Sequence, residues 1–145
     1  MSSRPDIAVC SPDDQLQLTV EVKAVSETDA AWAAQYRRNL LDQHLIPHSP
    51  YFLLVAGDNM YLWSNRQDEK PIIQVSTKAA LARYLPVRSI SLSGTGLEMA
   101  VQWWLNELIA FPRTERYGSE EKRLLETTGL LSSIRAGSLS SEVLQ

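Results

Sequence analysis

Cysteine, histidine and long apolar runs are scarce in this chain, and each scarcity excludes something. The single cysteine, Cys10, excludes an intramolecular disulfide and a cysteine-rich zinc site. Within the run Ile7-Ala8-Val9-Cys10 it reads as a small core residue rather than a nucleophile. The two histidines, His44 and His48, have a spacing that would suit a metal on a helix. Pro47 between them argues against a continuous helix, so they read as helix-end and loop residues. The longest apolar stretches, such as residues 51–56, are far too short to span a bilayer. The segment Met1-Ser2-Ser3-Arg4-Pro5-Asp6 has no apolar signal core. The expectation is a cytoplasmic protein with no membrane partner.

Of 145 residues, 44% are hydrophobic and 21% charged, which suits one globular domain with one core. The net charge of −3 does not advertise nucleic-acid binding, but it is unevenly spread. Residues 1–36 carry 2 basic and 6 acidic side chains, giving −4. Residues 37–88 carry 7 basic and 4 acidic ones, giving +3. Residues 89–145 carry 5 basic and 7 acidic ones, giving −2. A basic middle segment suits a phosphate backbone; an ordinary solvated surface is the plainer alternative.

The pattern along the chain predicts alternating strands and helices. Ile7–Cys10 is a short apolar run, and Ser11-Pro12-Asp13-Asp14-Gln15 is a turn by composition. Residues 16–25 then alternate. Leu16, Leu18, Val20 and Val22 point one way, and Gln17, Thr19, Glu21 and Lys23 the other. Ser26 opens a helix running to about Leu45, with Ala33, Tyr36, Leu40 and His44 on one stripe. Tyr51–Ala56 reads as a strand buried on both faces. Met60–Trp63 follows the turn Gly57-Asp58-Asn59 as the second arm of a hairpin. Ile72–Val75 reads as an edge strand, and Ser76 or Thr77 as the cap of a short helix to about Tyr84. A longer helix from Leu97 to about Phe111 presents Leu97, Val101, Trp104, Leu105 and Leu108, widened by Met99 and Trp103. Thr95 with Glu98 resembles a capping box at its start. Residues 119–128 have helical potential. Residues 132–145 are expected to be mobile or only loosely docked. The division expected is a domain over 1–111 and a helical or flexible extension over 112–145.

The chemistry concentrates at Pro5-Asp6 and Glu21-Val22-Lys23. Fifteen positions separate Asp6 from Glu21, enough to come down one strand, turn and return. Asp6 then lies beside Glu21 or Lys23, and the latter two share a face. Two carboxylates so close are costly without a cation or a lysine. Asp6, Glu21 and the Val22 carbonyl offer hard oxygen ligands for Mg²⁺ or Mn²⁺. Lys23 is placed to orient or deprotonate a water and to offset phosphate charge. The plainer alternative is an exposed cross-strand ion pair of little energetic consequence.

These residues resemble the PD-(D/E)xK nuclease superfamily over roughly residues 4–64. The resemblance implies an α/β, restriction-endonuclease-like fold: a central mixed β-sheet flanked by helices, here with extra C-terminal helices. It implies a Mg²⁺- or Mn²⁺-dependent nuclease acting on DNA, with Asp6, Glu21 and Lys23 as catalytic residues. In several branches the helix after the ExK strand carries a glutamine near the site; Gln35, before Tyr36-Arg37-Arg38-Asn39, is the matching candidate. The family core usually opens with a helix and a strand before the PD hairpin, and only four residues precede Pro5. The chain is therefore expected to lack that opening piece, unless a second subunit or a later segment replaces it, and a dimer would cover the sheet edge or face so exposed. The alternative function is a catalytically inactive interaction module of the same fold, acting through a homodimer or protein-partner interface.

Overall fold

A computed structural model describes residues 5–64, 69–85, 94–112 and 117–141. Six strands form one mixed sheet: β1 (Ile7–Cys10), β2 (Leu16–Lys23), β3 (Tyr51–Ala56), β4 (Asn59–Trp63), β5 (Ile73–Ser76) and β6 (Ser138–Ser141). Their spatial order is β5-β4-β3-β2-β1-β6. Only β2 and β3 are parallel; the other neighbours run antiparallel.

The parallel pair requires a crossover, and α1 (Ala30–Asp42) supplies it. This helix begins later than the sequence predicts. Asp29, not Ser26, is the cap, its Oδ1 accepting from the Trp32 N–H at 2.8 Å. It also ends earlier, because His44 adopts a left-handed φ of 56°, a conformation helices do not continue through. Both histidines are exposed.

The crossover decides what each face of β2 meets. A short helix, α2 (Thr77–Ala80), follows β5 with Ser76 as its cap. Ile7, Val9, Leu18, Val20, Leu53, Val55, Met60 and Leu62 face a large apolar cluster with α3 (Gly94–Ala110). The opposite face carries Phe52, Leu54, Ala56, Tyr61 and Trp63 against Ala33 and Leu40 of α1. The face of β2 with the polar residues is therefore the α1 face, and Thr19 on it is fully buried.

Leu97, Val101, Trp104, Leu105 and Leu108 of α3 are all buried, as the periodicity predicts. Met99 and Trp103 do not join them. They stay exposed, so the buried stripe is narrower than predicted.

The C-terminal residues 117–141 are docked rather than loose; the rest of the expected loose segment, 142–145, lies outside the described residues. α4 (Ser119–Lys122) runs into a π-helical turn, Arg123–Thr127, and α5 (Leu130–Ile134) follows. Leu124, Leu125, Leu130 and Ile134 are fully buried in the cluster that contains Leu105 and Leu108. The Tyr51 hydroxyl donates to the Thr128 carbonyl at 2.7 Å, and the Ser133 hydroxyl to Gln17 Oε1 at 2.7 Å. β6 then pairs with the outer edge of β1. A later segment of the same chain thus lies along the outer edge of β1.

Gly137 makes that closure possible. A Cβ there would lie 2.1 Å from the Cys10 carbonyl oxygen and 3.0 Å from that of Ile134. Neither atom yields without moving backbone. Gly137→Ala is therefore expected to cost about 1–3 kcal/mol by overpacking. Urea unfolding measures the loss, and amide exchange should quicken along β1 and β6 before β3.

Candidate functional site

The site lies at the end of β2 where the chain leaves the sheet. β1 and β2 are registered Ile7 to Val20. Continued by one residue, this register sets Asp6 opposite Glu21. The chain bends at Asp6, and the Asp6 carboxylate turns to the neighbouring strand. Its Oδ2 accepts from the Val22 backbone N–H at 2.8 Å.

That bond fixes the orientation of β2. In a strand the N–H and C=O of one residue face the same neighbour. The Lys23 carbonyl accepts from Gly57 N–H at 2.8 Å, so Lys23 addresses β3. Val22 therefore addresses the β1 side with both groups. Its N–H is taken by Asp6, and its carbonyl points toward the segment that starts with Pro5. Proline has no N–H to return. A proline before the aspartate leaves a strand carbonyl without its usual ladder donor, next to a carboxylate.

Continued past Ile7, the last paired residue, the same parity would put Asp6 and Glu21 among opposed residues that do not exchange backbone bonds. There Cα atoms approach to about 4.5 Å and side chains are closest. Both residues are half-buried, and Lys23 is exposed. Lys23 Nζ sits 5.5 Å from the centroid of the Tyr36 ring on α1. Tyr36 in turn stacks on Trp32, with centroids 5.2 Å apart and planes at 19°.

Gly57 holds the end of β2 in place. With φ of 59° it occupies the first position of the two-residue β3–β4 turn, where a positive φ favours glycine. A Cβ there would lie 1.7 Å from the Val25 carbonyl oxygen. The backbone just beyond Lys23 packs directly on this glycine.

The structure thus brings Asp6 and the Val22 backbone together and sets Glu21 beside them on one strand end. Lys23 shares the Glu21 face. Gln35 is not brought to this group. It is exposed, and its Nε2 donates to Asn39 Oδ1 at 3.0 Å along the outer face of α1. The helical repeat is the reason: Ala33, Arg37 and Leu40 take the sheet-facing positions. The α1 residue that does reach the site is Tyr36, which the periodicity predicts on the apolar stripe. An aromatic four residues before a buried leucine gives no hint that a lysine will lie over its ring.

Among the described residues no cluster of three or more His, Cys, Asp or Glu side chains could hold a metal ion. The candidate donor set here is different: two carboxylates and one main-chain carbonyl. All three are hard oxygen donors, the class Mg²⁺ prefers. Cys10 is half-buried at the end of β1, and burial, followed by the nearby Asp14, pushes its thiol pKa up. That disfavours the thiolate and any nucleophilic role.

No helix among the described residues is long and apolar enough to cross a membrane. Comparison with protein-family models, curated proteins and solved structures returned no match.

Proposed function

We propose that the chain is a nuclease, or a nuclease-like protein, of the PD-(D/E)xK type that hydrolyses DNA phosphodiesters with Mg²⁺ or Mn²⁺. The observation that carries the reading is the bond from Val22 N–H to Asp6 Oδ2. It fixes Asp6 beside the ExK strand and turns the Val22 carbonyl to the same side. The strand order supports the same reading. A PD strand and an ExK strand form an antiparallel pair, a helix crosses over, and a parallel buried strand follows.

Asp6, Glu21 and the Val22 carbonyl would hold the cation. The cation, when bound, supplies Lewis acidity toward the phosphate and a more acidic water. Lys23, exposed on the Glu21 face, orients the attacking water and offsets charge that develops on the phosphate oxygens. The ring of Tyr36 keeps the Lys23 ammonium near the strand end by cation–π attraction. Incubating supercoiled plasmid with Mg²⁺ or Mn²⁺ tests the reading. Cleavage that needs the metal and is lost in Glu21→Gln is expected; wild-type protein that never nicks the plasmid counts against it.

A second reading, a catalytically silent interaction module, is favoured by one observation. Trp103 and Phe111 are 54% and 62% exposed on or just beyond α3, with Met99 one turn before Trp103. Met99 and Trp103, four residues apart, share one helix face, and exposed apolar surface of this kind is a candidate for cover by a partner. If such a homodimer forms, light scattering on purified protein should give twice the monomer mass, and Trp103→Ser should return it to monomer. A wild type that stays monomeric at every concentration counts against the dimer.

A further inference from the structure

Trp32 and Tyr36 are large rings, yet both remain only half-buried and stack on one another along a flank of α1, beside the candidate site. They also touch the apolar cluster under α1. Covering that cluster calls for apolar bulk but not for parallel rings. The stack begins where the lysine is: Lys23 Nζ lies 5.5 Å from the Tyr36 ring. Trp32 stands one helical turn toward the N-terminus of α1. Its backbone N–H is taken by the Asp29 carboxylate, so the acid nearest to it in sequence is already engaged in capping.

A cation that addresses phosphate beside an aromatic stack whose outer member is Trp32 is the composition of a single-strand binding surface. The lysine takes the backbone, and an unpaired base stacks on the rings. A base inside a duplex has both faces occupied by its neighbours and cannot use such a surface without being flipped out. We infer that the Trp32–Tyr36 stack is a platform for an unpaired DNA base, so that single-stranded or splayed DNA is the substrate class. The inference rests on the nuclease reading for the position of the phosphate, but not for the stacking itself.

The test separates binding from cleavage. A fluorescently labelled single strand and the matching blunt duplex are titrated with protein in Ca²⁺, and anisotropy is read. Wild type is expected to bind the single strand more tightly than the duplex. Trp32→Leu, which keeps apolar cover, should weaken single-strand binding about tenfold or more and leave duplex binding nearly unchanged. Trp32→Phe, which keeps a ring, should restore most of the loss. Thermal unfolding of both variants checks that the fold is intact. Single-strand binding that is absent, weaker than duplex binding, or indifferent to Trp32→Leu overturns the platform. Cleavage in Mg²⁺ is read on the same substrates. Trp32-dependent binding without cleavage supports the platform and counts against the nuclease reading. Lys23-dependent cleavage with Trp32-independent binding overturns the platform and leaves the nuclease reading standing.

Discussion

Lys23→Ala is expected to lower Mg²⁺-dependent DNA cleavage about a hundredfold or more, the usual scale for removing a positioned proton-transfer or charge-stabilising group. The effect should fall on the chemical step. Lys23 is exposed and its contact within the fold is the Tyr36 ring. An exposed cation–π contact is worth about 0.5–1 kcal/mol, so the variant should unfold within a few degrees of wild type. Lys23→Arg preserves charge but is a far poorer proton acceptor. It separates the two roles: recovery of activity means charge stabilisation, and continued loss means water activation. Gln35→Ala is the internal control. Its side chain reaches Asn39 on the solvent side of α1, so cleavage should stay near the wild-type rate. Rates come from plasmid nicking under single-turnover conditions. Equal rates for wild type and Lys23→Ala would remove Lys23 from the chemistry.

Trp104→Ala should have the largest effect on stability, about 3–5 kcal/mol. Trp104 is fully buried in the middle of α3. Its ring N–H donates to Glu121 Oε2 at 2.8 Å, and the same oxygen accepts from Arg83 at 3.0 Å. Arg83 lies over the rings of Tyr84 and Tyr117, and the Tyr84 hydroxyl donates to Glu107 of α3. The alanine leaves a cavity and takes a donor from a buried carboxylate. Trp104→Phe keeps most of the bulk and isolates the donor, at about 1–2 kcal/mol.

The same cluster gives stability a sign with pH. Burial raises the Glu121 carboxyl above its ordinary 4.5, while the Trp104 N–H and Arg83 pull it partly back. The folded state therefore holds this proton more tightly than the unfolded state. The stabilisation from that proton is full below the ordinary value and is lost as pH rises through the folded one. Glu121→Gln cannot titrate. Relative to that variant, wild type should lose stability as pH rises from about 4.5. Urea unfolding across the acid to neutral range reads the difference, and parallel curves would contradict it.

Much of the sheet was legible in the sequence because its strands obey simple patterns. The apolar run Tyr51–Ala56 gives a strand with the observed span, and the alternation through Leu18, Val20 and Val22 gives β2, which ends at Lys23, two residues before the alternating run does. The α1 boundaries were less so. Ser26 and Asp29 are both good caps, and only the path of the crossover decides between them. β6 was not legible. Ser138-Leu139-Ser140-Ser141 has no strong strand preference of its own; it is a strand because β1 offers an open edge and Gly137 permits close approach. The exposure of Trp103 was likewise hidden, since a helical wheel cannot say how wide a neighbouring sheet is.

In the site, the pairing of Asp6 with the ExK strand followed from chain length alone. The bond to Val22 N–H did not, because it depends on the bend at Asp6. Nor did the Lys23–Tyr36–Trp32 stack, which arises from helix α1 packing across the sheet.

The central claim is that Asp6, Glu21 and the Val22 carbonyl form a cation site. Mn²⁺ titration of the purified protein, read calorimetrically and by paramagnetic broadening of the backbone amides, tests it most directly. One saturable site per chain is predicted, with broadening centred on Asp6 and residues 21–23. Glu21→Gln should weaken it about tenfold or more, as expected when a charged ligand is lost from a hard-cation site. Failure to saturate, broadening centred elsewhere, or affinity unchanged in Glu21→Gln would contradict the account.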